Sequence, residues 1–199
     1  METMEEKIIE AARQMFLEYG YKNTNMSLIA QKVGMNRTTL HYYYNTKEKM
    51  FHAVFGKIVE TFLPQIQDIL KQDIEFFLKC DAIIDIYFQI FIHNPSLPKF
   101  ILDEINRDVE NITTVAYSIG FESYIDTIIQ IIDKETEKGT IKQVPIHYII
   151  MTFISQVTFP FMAKNIIEYI LLKDNKTLNN ILEGWKKIII LQMKTLLEK

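Results

Sequence analysis

The chain holds one cysteine, one tryptophan, five prolines and six glycines in 199 residues. A lone cysteine, Cys80, excludes an internal disulfide and a cysteine-built zinc site, and it is read as a small core hydrophobe rather than a nucleophile. The four histidines, His41, His52, His93 and His147, lack the short spacings of metal ligands. No glycine-rich loop that could cradle a phosphate is present. No cofactor, no metal and no enzymatic chemistry are therefore expected. Long apolar runs are missing too. The greasiest stretch, 148–172, is interrupted by Ser155, Gln156, Pro160, Lys164, Asn165 and Glu168, whereas a membrane span needs roughly 20 predominantly apolar residues. The beginning, METMEEKIIEAARQ, is acidic and amphipathic rather than basic and then apolar, so no signal peptide is read there. A soluble cytoplasmic protein without a membrane partner is the expectation.

What is present is helical patterning. Hydrophobic residues make up 48% of the chain, which argues against disorder. Isoleucine and leucine recur at three- and four-residue spacing, and no strand-like alternation persists. The chain is read as all-α. Helices are predicted over 4–19 (stopped by Gly20), 26–33, 36–43, 47–63 (ended by Pro64), 74–93, 98–108, 121–138, 145–172 (kinked at Pro160) and 177–197, with 110–120 left unassigned. Asn25 or Thr24 is a candidate cap for the second helix and Thr46 for the fourth. Gly34 supplies the turn after Val33, because a left-handed backbone is cheap only without a side chain.

The net charge of −3 disfavours a nucleic-acid partner until its distribution is read. Residues 20–50 carry five basic side chains (Lys22, Lys32, Arg37, Lys47, Lys49) against Glu48, a local +4, while residues 51–199 carry 15 basic and 19 acidic. In that basic segment, two short helices flank a glycine turn. This arrangement sends the second helix of a helix-turn-helix unit into the major groove. Ile29, Val33 and Leu40 are spaced to pack inside, with Ala30 at the close approach. The exposed face then offers Asn36, Arg37, Thr38, His41 and Tyr42. Arginine reads guanine edges, asparagine reads adenine, and a threonine methyl touches thymine. Tyr42, Tyr43 and Lys47 suit phosphate contacts, and the start of the second helix at Ser27 aims backbone N–H groups at another phosphate. Double-stranded operator DNA is the expected partner.

With AARQMF in the first helix, GYKNTNMSLIA, the turn KVGM and TLHYYYNTKEKM, the first fifty residues resemble the DNA-binding domain of a TetR-family transcriptional regulator. The last segment is similar to the family's Thr-Leu-Tyr-x-x-Phe followed by Lys-Glu. Three positions depart from the pattern. His41 stands at the usual groove-facing tyrosine, Tyr44 at a core phenylalanine, and Ser27 where many relatives carry a basic residue. The resemblance implies a DNA-binding domain over 1–46 and a helical domain over 47–199 that dimerises through its last two helices and encloses a small effector. It also implies repression. The fourth helix is then the strut through which the effector moves the DNA head.

Apolar patterning supports the dimer independently, since a helix apolar nearly all round must be covered. Phe153, Phe161, Leu178, Leu182, Trp185 and Ile189 are the expected interface, and a two-fold dimer matches a palindromic operator. The aromatic interior supplies a candidate pocket of Tyr87, Phe88, Phe91, Phe100, Tyr117, Phe121, Tyr124, His147 and Met151. No acidic cluster selects a cation, so a largely apolar or aromatic effector is expected. Two other readings stay open: a helical carrier whose head no longer reads DNA, and a regulator whose larger domain answers to a protein.

Overall fold

The computed structural model describes residues 3–172 and 177–198. In chain order the helices are α1 (Met4–Asn23), α2 (Met26–Val33), α3 (Arg37–Tyr43), α4 (Lys47–Glu60), α5 (Leu63–Lys71) and α6 (Phe76–His93). They continue with α7 (Leu97–Arg107), α8 (Val109–Ser118), α9 (Phe121–Glu137), α10 (Ile146–Met162), α11 (Lys164–Ile166) and α12 (Leu182–Leu197). α11 runs into a π turn, Ile167–Leu171, and a 3-10 turn, Leu178–Asn180, precedes α12. No strand occurs among the described residues, and no single helix among them is long and apolar enough to cross a membrane.

Side-chain caps set the starts of the first four helices. Thr3 and Glu6 form a reciprocal capping box at α1, Asn25 accepts from Leu28 N–H, Asn36 from Thr39 N–H, and Thr46 from Lys49 N–H. Each satisfies a backbone donor that the helix itself leaves open. Gly20 interrupts α1 at φ 75°, where the sequence places the helix stop. Gly34 at φ 80° ends α2, its N–H bonded to Gln31 O while Met35 N–H reaches back to Ala30 O.

Prolines act differently from the expectation. Pro64 does not end α4, which stops at Glu60; it lies in the first turn of α5, where a missing N–H has no intrahelical partner to lose. α5 is thus a helix the sequence reading did not assign. Most of the segment 110–120 belongs to α8 (Val109–Ser118), capped by Asp108, which accepts from Asn111 N–H. The single helix expected over 145–172 is broken. α10 ends at Met162, and the segment after it turns by 63°. Pro160 has no N–H to give to the carbonyl of Gln156 four residues earlier, and Trp185 Nε1 donates to that carbonyl instead, at 2.9 Å.

The described residues pack as two compact units: those up to Thr61 with Lys99–Gly120, and Phe62–Pro98 with those after Gly120. In the first, α4 packs on α1 and α8, so α4 groups with the head rather than with the domain expected to start at residue 47. Phe51, fully buried, is its centre, edge-on to Phe16 and Tyr21 and in ring contact with Phe55 and Phe100. In the second, α6, α10 and α12 pack together around Ile84, Val157, Ile189 and Met193, and α9 lies against α5.

Candidate nucleic-acid interface

α3 is held by one apolar anchor. Leu40 is fully buried, as is Ile29 on α2, while Ala30 is buried at the approach of the two helices. Because one face is anchored, Arg37, Thr38, Tyr42 and Tyr43 stay exposed, Tyr42 at 89%. The Arg37 Nε donates to His41 Nε2 at 3.3 Å, one helical turn on, which holds both side chains on the same exposed face. Neither α2 nor α3 has an acidic residue in its first turn. Ser27 is exposed at the start of α2, so its surroundings carry the positive end of the helix dipole unopposed.

Two candidates have structural work of their own. Asn36 Oδ1 is the cap of α3, accepting from the N–H and hydroxyl of Thr39, so only its amide nitrogen remains for a base. Lys47 is half-buried, its ammonium 4.1 Å from the Tyr21 ring centroid. Burial first, and the nearby Arg107 charge second, hold its pKa below the usual lysine value. Tyr44, at a position where core phenylalanine is usual, finds the partner its hydroxyl needs, donating to Glu5 Oε1 at 3.0 Å.

A cluster not read from the sequence ties this head to α7. The Arg107 guanidinium lies 4.0 Å from the Tyr21 ring centroid and bonds through Nε to Glu104 Oε2 at 2.6 Å. Glu104 is only 3% exposed. Tyr21 therefore receives two cations, Lys47 and Arg107, on ring electrons that attract both. Tyr21 and Arg107 are more than eighty positions apart, and no local periodicity marks such a pairing. Thr24 closes the same corner. It is buried, with its hydroxyl 3.0 Å from Met15 O and 2.9 Å from Gly20 O, so the cap of α2 is Asn25 alone.

The second unit contains a cavity of about 170 Å³ between α5, α6, α9, α10 and α12. Of the candidate pocket residues, Tyr87, Phe121 and Tyr124 line it. The others are corrected. Phe88 and Phe91 are buried against Phe161, Phe100 packs on Phe51 in the first unit, and Tyr117 is exposed there. His147 and Met151 face outward from α10. Aliphatic side chains that the aromatic reading passed over, such as Ile83, Ile128 and Ile149, make up much of the wall, with Lys79 and Cys80 at it. Burial pushes the Cys80 thiol up to about 12, which keeps it a neutral thiol. Among the described residues no group of three or more His, Cys, Asp and Glu side chains could hold a metal ion.

The expected interface residues also divide. Leu178, Leu182, Ile189 and Phe161 are buried within one chain, Phe153 lines the cavity, and the half-buried Trp185 is bonded to Gln156 O. One-face patterning could not tell which stripe of α10 and α12 the chain covers by itself. The stripe left bare carries Met151, Phe159, Met162, Ile188 and Leu191, each between 39% and 66% exposed.

Residues 8–54 match the model of the bacterial regulatory proteins, tetR family. The chain is 26% identical over 139 residues to the biofilm operon icaADBC HTH-type negative transcriptional regulator IcaR of Staphylococcus epidermidis, covering 66% of this chain and 75% of that one. It is 32% identical to the HTH-type transcriptional regulator RutR of Escherichia coli over 60 residues, which are 30% of this chain and 28% of that one. Among solved structures, the fatty acid degradation regulator FadR from Bacillus halodurans superposes with TM-score 0.69 at 19% identity, covering 94% of each chain. The ketosteroid transcriptional regulator KstR2 of Mycobacterium tuberculosis gives TM-score 0.74 at 13% identity, over 100% of this chain and 97% of that one. At those identities the structural likeness is one of fold.

Proposed function

We propose that this chain, a TetR-family DNA-binding transcriptional regulator, acts as a two-fold dimer on a palindromic operator and is released from it by a small, largely apolar effector. The observation that carries the reading is α3: Leu40 fully buried on one side, Arg37, Thr38 and Tyr42 exposed on the other, and the half-buried His41 bonded to Arg37. That division gives a groove-entering helix a rigid back and a face of base- and phosphate-directed groups. Arg37 and Thr38 read base edges. Tyr42, Tyr43 and the N-terminus of α2 at Ser27 set the register on phosphates. Lys47 supports the head through Tyr21 as much as it serves the backbone.

The bare stripe of α10 and α12 supports self-association. An exposed apolar face on two neighbouring helices is stabilised by burial against its own copy, and an isologous contact closes at two subunits. The effector reading rests on the cavity, and the likeness to IcaR, a negative transcriptional regulator, favours repression. Coupling requires only that the effector bind the DNA-incompetent state more tightly than the competent one. The chain passes from one unit to the other at residues 61–62, 98–99 and 120–121. The second of these passages lies in α7, the helix that ends at Arg107.

The test is selection of bound duplexes from randomised DNA by the purified full chain at near-physiological salt. A two-fold palindrome among the enriched sequences is the expected result. No enrichment over input, with the protein folded, would favour a carrier that no longer reads DNA.

A further inference from the structure

The second unit's cavity, taken as the effector site of the reading above, has a wall that is nearly all hydrocarbon: Ile83, Ile128, Ile149 and Phe153 are typical. At about 170 Å³ it compares with an apolar cavity of about 150 Å³ that admits benzene. Its occupant therefore has a body of about one ring or a short chain. The polar groups at the wall differ in kind. The hydroxyls of Tyr87 and Tyr124 pair with each other and carry no charge, and Cys80 is a neutral thiol. Lys79 is the exception. Its ammonium donates to the carbonyl of Leu70 at 2.7 Å, in the last turn of α5, and no carboxylate lies within ion-pair distance of it among the described residues. Lysine has three donors. One serves α5 and two remain, on a half-buried side chain that lines an apolar cavity.

We infer that the ligand is a small apolar monocarboxylate, its hydrocarbon body in the cavity and its carboxylate on Lys79. One unneutralised cation matches one anionic charge. A charge pair at the edge of a low-dielectric cavity is also stronger than the same pair in water. An uncharged apolar molecule fills the same space but leaves Lys79 without a counter-ion. A dianion brings a charge that nothing at the wall balances. The geometry suits an arenecarboxylate or a short aliphatic acid equally, since both present the same head group, and separate probes distinguish them.

The experiment is calorimetric titration of the full chain with benzoate and hexanoate, each beside its neutral counterpart, benzyl alcohol and hexanol. It is repeated on K79M and K79R, with operator binding of each protein measured without ligand. Wild type is expected to bind at least one carboxylate about tenfold or more tightly than its alcohol. K79M should lose that preference while binding the alcohol as wild type does, and K79R should restore it. Equal affinity for acid and alcohol in wild type overturns the inference but leaves an apolar effector standing. A carboxylate preference that survives K79M overturns the role of Lys79. Binding of no probe, with operator affinity intact, overturns both the inference and the effector reading. If Lys79 only caps α5, K79M lowers the melting temperature and shifts acid and alcohol affinities together, which also overturns it.

Discussion

At the scale of single residues, position in the head decides chemistry more than residue type does. Arg37 and Lys47 are both basic and ten positions apart, yet Arg37 is exposed beside His41 while Lys47 lies over an aromatic ring. Arg37→Ala is expected to cost about 1–3 kcal/mol on the preferred operator and to relax the base preference under it; selection repeated with the variant measures this, and an unchanged consensus removes Arg37 from the reading set. Tyr44 yields a prediction in pH. Burial, and then its bond to Glu5, push its hydroxyl pKa up to about 12, against roughly 10 for an unfolded tyrosine. A raised acid is favoured in its neutral form by the folded state. Its contribution to stability is therefore complete below pH 10 and fades as pH rises towards 12. Urea midpoints of wild type and Tyr44→Phe should differ at pH 8 and converge between pH 10 and 12. A gap that stays constant across that range rules out the linkage.

At the scale of elements, one proline explains two features of the second unit. Pro160 withdraws a donor from α10, the helix breaks three residues later, and the freed Gln156 carbonyl becomes the anchor for Trp185 of α12. Lys186, next in the chain, reaches Asp81 and Asp85 on α6, so the first turns of α12 are fixed on two sides. Trp185→Phe keeps the ring and removes the donor. It is expected to destabilise by about 1–3 kcal/mol, the cost of an unpaired part-buried carbonyl. In the Pro160→Ala background the backbone N–H returns to Gln156, and the same substitution should cost much less. Chemical denaturation of the four proteins gives the coupling directly; additive effects mean that the two residues do not share the carbonyl. In the head, Arg107 plays a comparable part from α7, with Glu104 buried against it and Tyr21 under its guanidinium.

At the scale of the whole molecule, charge and apolar surface are sorted along the chain. The net charge is −3, yet residues 20–50 are locally +4, so association with DNA should weaken steeply with salt even though the protein as a whole is acidic. The self-association proposed above rests on the bare stripe of α10 and α12. A double substitution, Phe159→Glu with Leu191→Glu, places charges at positions 62% and 60% exposed. It should leave the helical circular dichroism signal unchanged, convert the protein to a monomer by sedimentation, and reduce operator affinity by at least tenfold. A dimer that survives both charges locates the interface elsewhere.

Much was determined by sequence alone, because it depends on neighbours within a turn or two. The cap Thr46, the stops at Gly20 and Gly34, the span of α2 from Met26 to Val33 and the exposure of Arg37, Thr38 and Tyr42 on α3 all follow from local rules and one anchoring leucine. Only the tertiary structure decided the pairings made across long stretches of chain. Periodicity marks a side chain as apolar but does not say which neighbour covers it. Leu182 and Ile189 are therefore buried inside the chain while Leu191 on the same helix is bare, and Phe100 lies in the head while Ile128 walls a cavity. Proline shows the same limit. Pro64 opens a helix and Pro160 precedes a break, and in the second case the outcome includes an indole donor brought from twenty-nine residues further along the chain to the carbonyl left free.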